Sequence, residues 1–302
     1  MVGGLSMPAL QRKCNEQQIA WVAQHPLFQM LRKGIDEGEI LPCLRNGEIH
    51  VYERGARLLS FSNQKVFTHA AYAGACFAGE CNRNYVALPY NLCADKFNDI
   101  REAARTHRDK KPHSELVAVQ KLFQEFAVTR LQTREGKLAL IDVEIRFGKH
   151  ETDTSLPAKM IDLAFLLPNR TLLFVEAKCI GNASISSTTI ASVVTKQVEV
   201  YEKHIQRPDV LGAMNRSLCA QSNLVGRELG QADGIFSRIP VLMLNPTGQQ
   251  NPVSKNNHWL RQALANAPSW KSSSGHAGII DGTLDPIAAI CQFAKDVGQA
   301  TV

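Results

Sequence analysis

No stretch of these 302 residues is apolar over the length of a membrane span. The opening, Met1 to Leu10, contains Gly and Pro and has no long apolar core, so no secretory signal is expected there. Of the eight cysteines, three near the N-terminal end invite a zinc reading, that of a zinc-stabilised regulator. Cys76, Cys81 and Cys93, with His69 nearby, lack the close pairs such sites use, and small buried thiols are the better account. Reduced thiols and no export signal together predict a cytoplasmic protein. There is no Gly-rich phosphate loop of the nucleotide-triphosphatase type, which excludes an ATP-driven motor. There is no Gly-x-Ser-x-Gly elbow, which removes the usual signature of a serine hydrolase. Internal repeats and low-complexity tracts are also missing.

What is present is ordinary for a soluble globular protein: 44% hydrophobic and 21% charged residues. The length suits one large domain or two ordinary ones. A formal net charge of +6 fits a polyanionic partner without requiring one. Basic residues gather locally at Arg101, Arg105, Arg108, Lys110 and Lys111, and again at Lys196, Lys203, His204 and Arg207. Each group is placed either to neutralise phosphates or to form a solvated face.

Along the chain, residues 1–110 read as a separate α+β unit and residues 111–302 as a second domain with a C-terminal helical extension. Asn15 to Gly34 has helical character, interrupted by Pro26. Glu48 to Glu53 and Ala56 to Ser60 predict a hairpin around Arg54-Gly55, and Phe61 to Tyr72 a further strand. Arg105 to His113, charged and containing Pro112, reads as a linker. No motif assigns a role to this first unit; DNA recognition, partner binding and homo-oligomer formation all fit. Towards the other end, Asn245 to Lys255 reads as a loop and Ser272 to Gly275 as a flexible connection. His258 to Ala265 and Pro286 to Val297 read as helices. His258, Trp259 and Arg261 suit either helix packing, the preferred reading, or contact with nucleic acid.

The informative stretch is Lys159 to Cys179. Two apolar runs rich in Leu, Ile, Val and Phe flank Pro168-Asn169-Arg170, which predicts two largely buried strands of a hairpin. Yet the runs carry Asp162, Glu176 and Lys178. Burying such groups is costly unless they pair or hold a metal. Side chains alternate along a strand, so Glu176 and Lys178 share a face. A three-residue connection over 168–170 opposes Asp162 to Glu176. Shifting that loop by one residue opposes Asp162 to Lys178. A four-residue connection throws Asp162 to the other face. In the converging registers, two carboxylates make a hard oxygen site that suits Mg²⁺ or Mn²⁺. A lysine beside it can orient water and stabilise developing charge. This is equipment for hydrolysing a phosphodiester.

Asp162 followed by Glu176-x-Lys178 resembles the PD-(D/E)xK nuclease superfamily, with Ile161 where the family name has proline. The order of predicted elements is similar to that family's. Ser114 to Val128 reads as a helix, with Ser114 as N-cap and Leu116, Val119, Leu122, Phe123 and Phe126 at helical spacing. Lys137 to Phe147 reads as the first strand, and the hairpin supplies two more. Thr189 to Ile205 reads as a second helix, stopped before Pro208, and Ile239 to Leu244 as the next strand. Gln197 and Tyr201, four apart on one helix face, resemble the Gln-x-x-x-Tyr of the lambda-exonuclease and RecB-type branch. The resemblance covers roughly residues 110–247.

The resemblance implies an α/β chain: a restriction-endonuclease-like core, a mixed central sheet flanked by helices, beside the N-terminal α+β unit. It implies that Asp162, Glu176 and the Ala177 carbonyl ligate Mg²⁺ or Mn²⁺ and that Lys178 positions the attacking water. Gln197 and Tyr201 would shape the site, and Glu115 would be an auxiliary acid. The implied activity is a metal-dependent deoxyribonuclease, endonuclease in preference to exonuclease, with double-stranded DNA as the expected partner. Restriction, phage defence, repair and recombination are the roles it fits. The alternative is a nucleic-acid-binding or assembly protein on the same fold without turnover.

Overall fold

Two sheets, each with its own helices, organise a mixed α/β chain. The structure is a computed structural model; it describes residues 10, 12–74, 84–109, 115–130, 137–148, 159–179, 188–244, 278–282 and 284–300. The chain divides into two compact units. The first holds residues 12–135 and 214–231, and the second holds 136–213 and 232–302 with the first eleven residues.

In the first unit, α1 (Glu16–Gln24) begins at Asn15, whose side chain accepts from Gln18 N at 2.7 Å. This satisfies one of the donors a helix start leaves open. Pro26 does not end the helical region; it opens α2 (Pro26–Met30) at its first position, where no N–H is needed. A second break at Leu31 precedes α3 (Arg32–Asp36). Five antiparallel strands follow in sequence order: β1 (Ile40–Leu44), β2 (Glu48–Glu53), β3 (Ala56–Ser62), β4 (Lys65–His69) and β5 (Tyr85–Leu88). The expected hairpin turns at Arg54-Gly55, with φ of 50° and 90°, the left-handed pair that suits a two-residue connection. The further strand expected over Phe61 to Tyr72 is only partly that. β3 runs to Ser62, β4 stops at His69, and Ala70–Ala73 form a short helix, α4.

The expected linker Arg105 to His113 is corrected at its start, because α5 (Ala94–Asp109) continues through it. Phe97, Ile100 and Ala104 are buried at helical spacing. Arg101 and Arg105 do not lie loose in solvent. Both bind the buried carboxylate of Glu53, at 2.7 and 2.8 Å. The α6 helix (Glu115–Phe126) lies in this unit, as does the larger part of α8 (Asp209–Val225), from Met214 on. Ala220, Leu224 and Val225 join the core formed by Leu27, Phe28, Phe61 and Phe97.

In the second unit, β6 (Ala139–Phe147), β7 (Lys159–Leu166) and β8 (Thr171–Cys179) form an antiparallel meander. The sheet order is β11-β10-β8-β7-β6, with β10 (Val241–Leu244) parallel to β8, and β11 (Ile279–Gly282) parallel to β10. Gly234–Ile235, β9, pairs with the start of β8. Helices α7 (Thr188–Ile205) and α9 (Pro286–Ala300) belong to this unit. Among the described residues no helix is long and apolar enough to cross a membrane. The segments read as Asn245 to Lys255, His258 to Ala265 and Ser272 to Gly275 lie outside the described residues, as do Cys76, Cys81, Lys110 and Lys111; Cys93 is exposed and not the buried thiol expected.

Candidate active site

The hairpin has the three-residue connection. Leu167 N donates to Thr171 O and Arg170 N to Leu167 O, both at 2.9 Å, and Arg170 takes a left-handed φ of 63°. The β7–β8 pairs run from Leu166↔Leu172 to Leu163↔Val175. One residue further, Asp162 stands opposite Glu176.

That is also where β8 changes partner. From Glu176 to Cys179 it pairs with β10 instead, and Glu176 N donates to Pro240 O at 3.1 Å. On the side of β8 that has lost β7, charged side chains meet the backbone. Asp162 Oδ2 accepts from Ala177 N at 2.8 Å, and Lys178 Nζ donates to Ala177 O at 3.1 Å. Backbone groups this deep need partners, and here the acid and the lysine supply them.

Lys178 Nζ also donates to Glu176 Oε1, at 2.5 Å. Gln197 Nε2, from α7, reaches the same oxygen at 3.0 Å and also donates to the Tyr201 hydroxyl. Tyr201 in turn donates to the carbonyl of Met160, two residues before Asp162. The four-residue spacing of Gln197 and Tyr201 thus places both on the α7 face that meets the hairpin. One network joins β7, β8 and α7.

The other oxygen of Glu176 differs. The residue is 1% exposed, and its Oε2 is buried with no N–H or O–H donor reaching it, while the Asp162 carboxylate lies close enough to interact with the Glu176 side chain directly. Burial pushes the Glu176 carboxyl well above the usual carboxylate range, and the nearby Asp162 charge pushes the same way; Lys178 opposes both. Cys179, the residue after Lys178, is buried.

Other expected site residues are placed differently. Glu115 is the first residue of α6, in the first unit, and its side chain is outside what the structure describes. Of the basic residues expected on the second helix, Lys196 and Lys203 are exposed. His204 is instead fully buried, its ring stacked on Phe147 at 5.2 Å, and the Arg207 side chain is mostly buried near Asp209. They offer no phosphate contact in this arrangement.

Two contributors had no signal in the sequence. Glu202 accepts from Ile239 N and Arg238, both at 3.2 Å, and so ties α7 to the chain entering β10. Glu144, between the pairs Val143↔Leu163 and Ile145↔Ile161, falls opposite Asp162 and has a φ of 49°. A left-handed acidic residue inside a strand is strained, and such strain gathers near functional sites.

Among the described residues no group of three or more His, Cys, Asp or Glu side chains is gathered to hold a metal. What the hairpin brings together is two carboxylates, Asp162 and Glu176, and the backbone of Ala177. Comparison with family models, curated proteins and solved structures finds no match to this chain.

Proposed function

We propose that this chain is a metal-dependent nuclease that hydrolyses phosphodiester bonds in DNA, with the second unit as a restriction-endonuclease-like core. The observation that carries the reading is the buried Glu176 carboxylate, set against the Asp162 carboxylate across the hairpin and beside the Lys178 ammonium, with no N–H or O–H donor on Oε2. An ionisable group held dry with an open oxygen is costly, and a cation would relieve that cost.

The residues fit the metal. Asp162, Glu176 and the Ala177 carbonyl present hard oxygen donors, which suit Mg²⁺ or Mn²⁺. When bound, such an ion polarises a phosphoryl oxygen and acidifies water. The chain's own part is orientation. Lys178 holds the Ala177 carbonyl and Glu176 Oε1 in place, and its ammonium faces charge that develops on a phosphate. Gln197 and Tyr201 fix the carboxylate and the edge of β7 from α7.

A second reading has its own observation. Asp162 and Lys178 also satisfy the backbone where β7 leaves β8, so the charges can serve as a brace in a nucleic-acid-binding protein without turnover. Cleavage assays on plasmid, linear duplex and single-stranded DNA, with Mg²⁺, Mn²⁺ or chelator, separate the two. Cleavage that needs metal and is lost in Glu176→Gln supports the nuclease. Full activity in chelator overturns the metal mechanism. No cleavage of any substrate, with Mn²⁺ binding also absent by calorimetry, favours the brace.

A further inference from the structure

A second concavity lies entirely within the first unit, which has no role in the reading above. It has a volume of about 560 Å³, within the range of small-molecule sites. Its wall is cationic. Arg12 and Lys13 approach from the chain before α1, and Arg216 comes from α8; Glu16 is the single carboxylate among the lining residues. Arg12 is buried at 2% exposure, so its charge sits in a wall shielded from solvent. The cations of the wall that a ligand can reach from solvent are Lys13 and Arg216.

The wall is fixed by its own hydrogen bonds. Arg216 Nε donates to Arg12 O at 3.2 Å, and Gly47 N donates to Lys13 O. Gln18 Nε2 donates to Gly47 O at 2.8 Å. The two chain segments that carry the cations are therefore held to α8 and to the β1–β2 turn before any ligand arrives. Asn46 and Asn223 add amide groups to the lining, and Leu44 and Ala220 an apolar floor. Three cations against one carboxylate, with amides around an apolar floor, match a compact dianion that carries a small polar body. We propose that this cavity binds a phosphomonoester, either a free phosphorylated small molecule of about mononucleotide size or the phosphorylated end of a nucleic acid.

The test uses the full chain in metal-free buffer. Binding of inorganic phosphate, adenosine monophosphate, and a short oligonucleotide with a 5′-phosphate or a 5′-hydroxyl is measured by calorimetry. Protection of Cys219 from alkylation is read by mass spectrometry, since this exposed thiol lines the cavity. Both Lys13→Glu and Arg216→Glu change exposed side chains; Lys13→Glu is expected to keep the wild-type melting temperature, and Arg216→Glu, which also gives up the bond to Arg12 O, to lower it slightly while the chain stays folded. Each is expected to weaken adenosine monophosphate binding at least about tenfold and to remove the protection of Cys219. Tighter binding of the 5′-phosphate oligonucleotide than of the 5′-hydroxyl one, dependent on Arg216, supports a nucleic-acid end as the source. Equal oligonucleotide binding, with adenosine monophosphate still dependent on Arg216, supports the free small molecule. The proposal is overturned if no phosphate compound binds, or if both charge reversals bind as wild type does. It is also overturned if Asp162→Asn, which keeps the acceptor for Ala177 N, abolishes the binding, because the ligand would then sit at the hairpin.

Discussion

Asp162 carries two tasks that substitution can pull apart. Its Oδ2 accepts from Ala177 N, and in the proposed mechanism the same carboxylate holds metal. Asp162→Asn keeps an acceptor for the backbone and should fold with nearly wild-type stability, yet lose cleavage by several orders of magnitude, each tenfold being about 1.4 kcal/mol of barrier. Asp162→Ala should lose both, with a lower melting temperature from the unmet Ala177 N–H, about 1–3 kcal/mol. If Asp162→Asn cuts DNA at the wild-type rate, the residue is a brace and not a ligand. Glu176 gives a pH signature. Its folded pKa is raised, so below the unfolded value, about 4.3, both states hold the proton and burial of the ionised form costs nothing. As pH rises from there through the raised folded value, metal-free protein should lose stability, because the unfolded chain ionises first. Glu176→Gln should flatten that decline in chemical denaturation curves. The pair was legible at this scale because charged residues interrupt apolar runs. That no N–H or O–H donor reaches Oε2 was not, since it depends on where Lys178 and Gln197 reach. Glu144 was illegible for a different reason: nothing in its neighbours marks a left-handed strand residue.

At the scale of elements, apolar alternation and turn residues placed the hairpin, α6, α7 and α9 close to where they lie. The two-residue turn at Arg54-Gly55 was equally readable. β1 was missed because Pro42 sits inside it, and only an edge strand tolerates that. α5 had no helix reading, and its last turn read as a linker, because its arginines looked like a solvated run, whereas their partner, Glu53, is about fifty residues earlier. That contact has an acid signature of its own. Burial raises the Glu53 carboxyl, but the hydrogen bonds and charges of Arg101 and Arg105 outweigh it, and the folded pKa is lowered. The stabilisation is therefore present above the unfolded value, about 4.3, and lost as pH falls through the folded one. Glu53→Gln should remove this acid-labile contribution and cost about 3–5 kcal/mol at neutral pH, because it leaves two cations without their carboxylate. Tyr201→Phe tests the α7 clamp. It should cost about 1 kcal/mol in thermal unfolding and reduce cleavage less than Lys178→Ala does.

For the whole molecule, the metal reading has a consequence that needs no substrate. Mn²⁺ at a hundred times its dissociation constant should stabilise the folded chain by about 2.7 kcal/mol, seen as a higher melting temperature. Glu176→Gln should abolish that gain, and a wild-type-sized gain in this variant would place the metal elsewhere. A pass along the sequence does not reveal that residues 214–231 return to the unit begun at residue 12. That return matters because it completes a core and not a surface. Gln221 Nε2 donates to Pro42 O at 2.7 Å, and Leu224 and Val225 pack with Leu27 and Phe28. During synthesis the ribosome therefore releases an unfinished first unit. Residues 12–135 must wait, with part of their apolar interior uncovered, while nearly eighty residues of the other unit are made. Translation past residue 231 is what lets the early half close, and a nascent chain stalled before that point should be a substrate for chaperones and proteases that the finished protein resists.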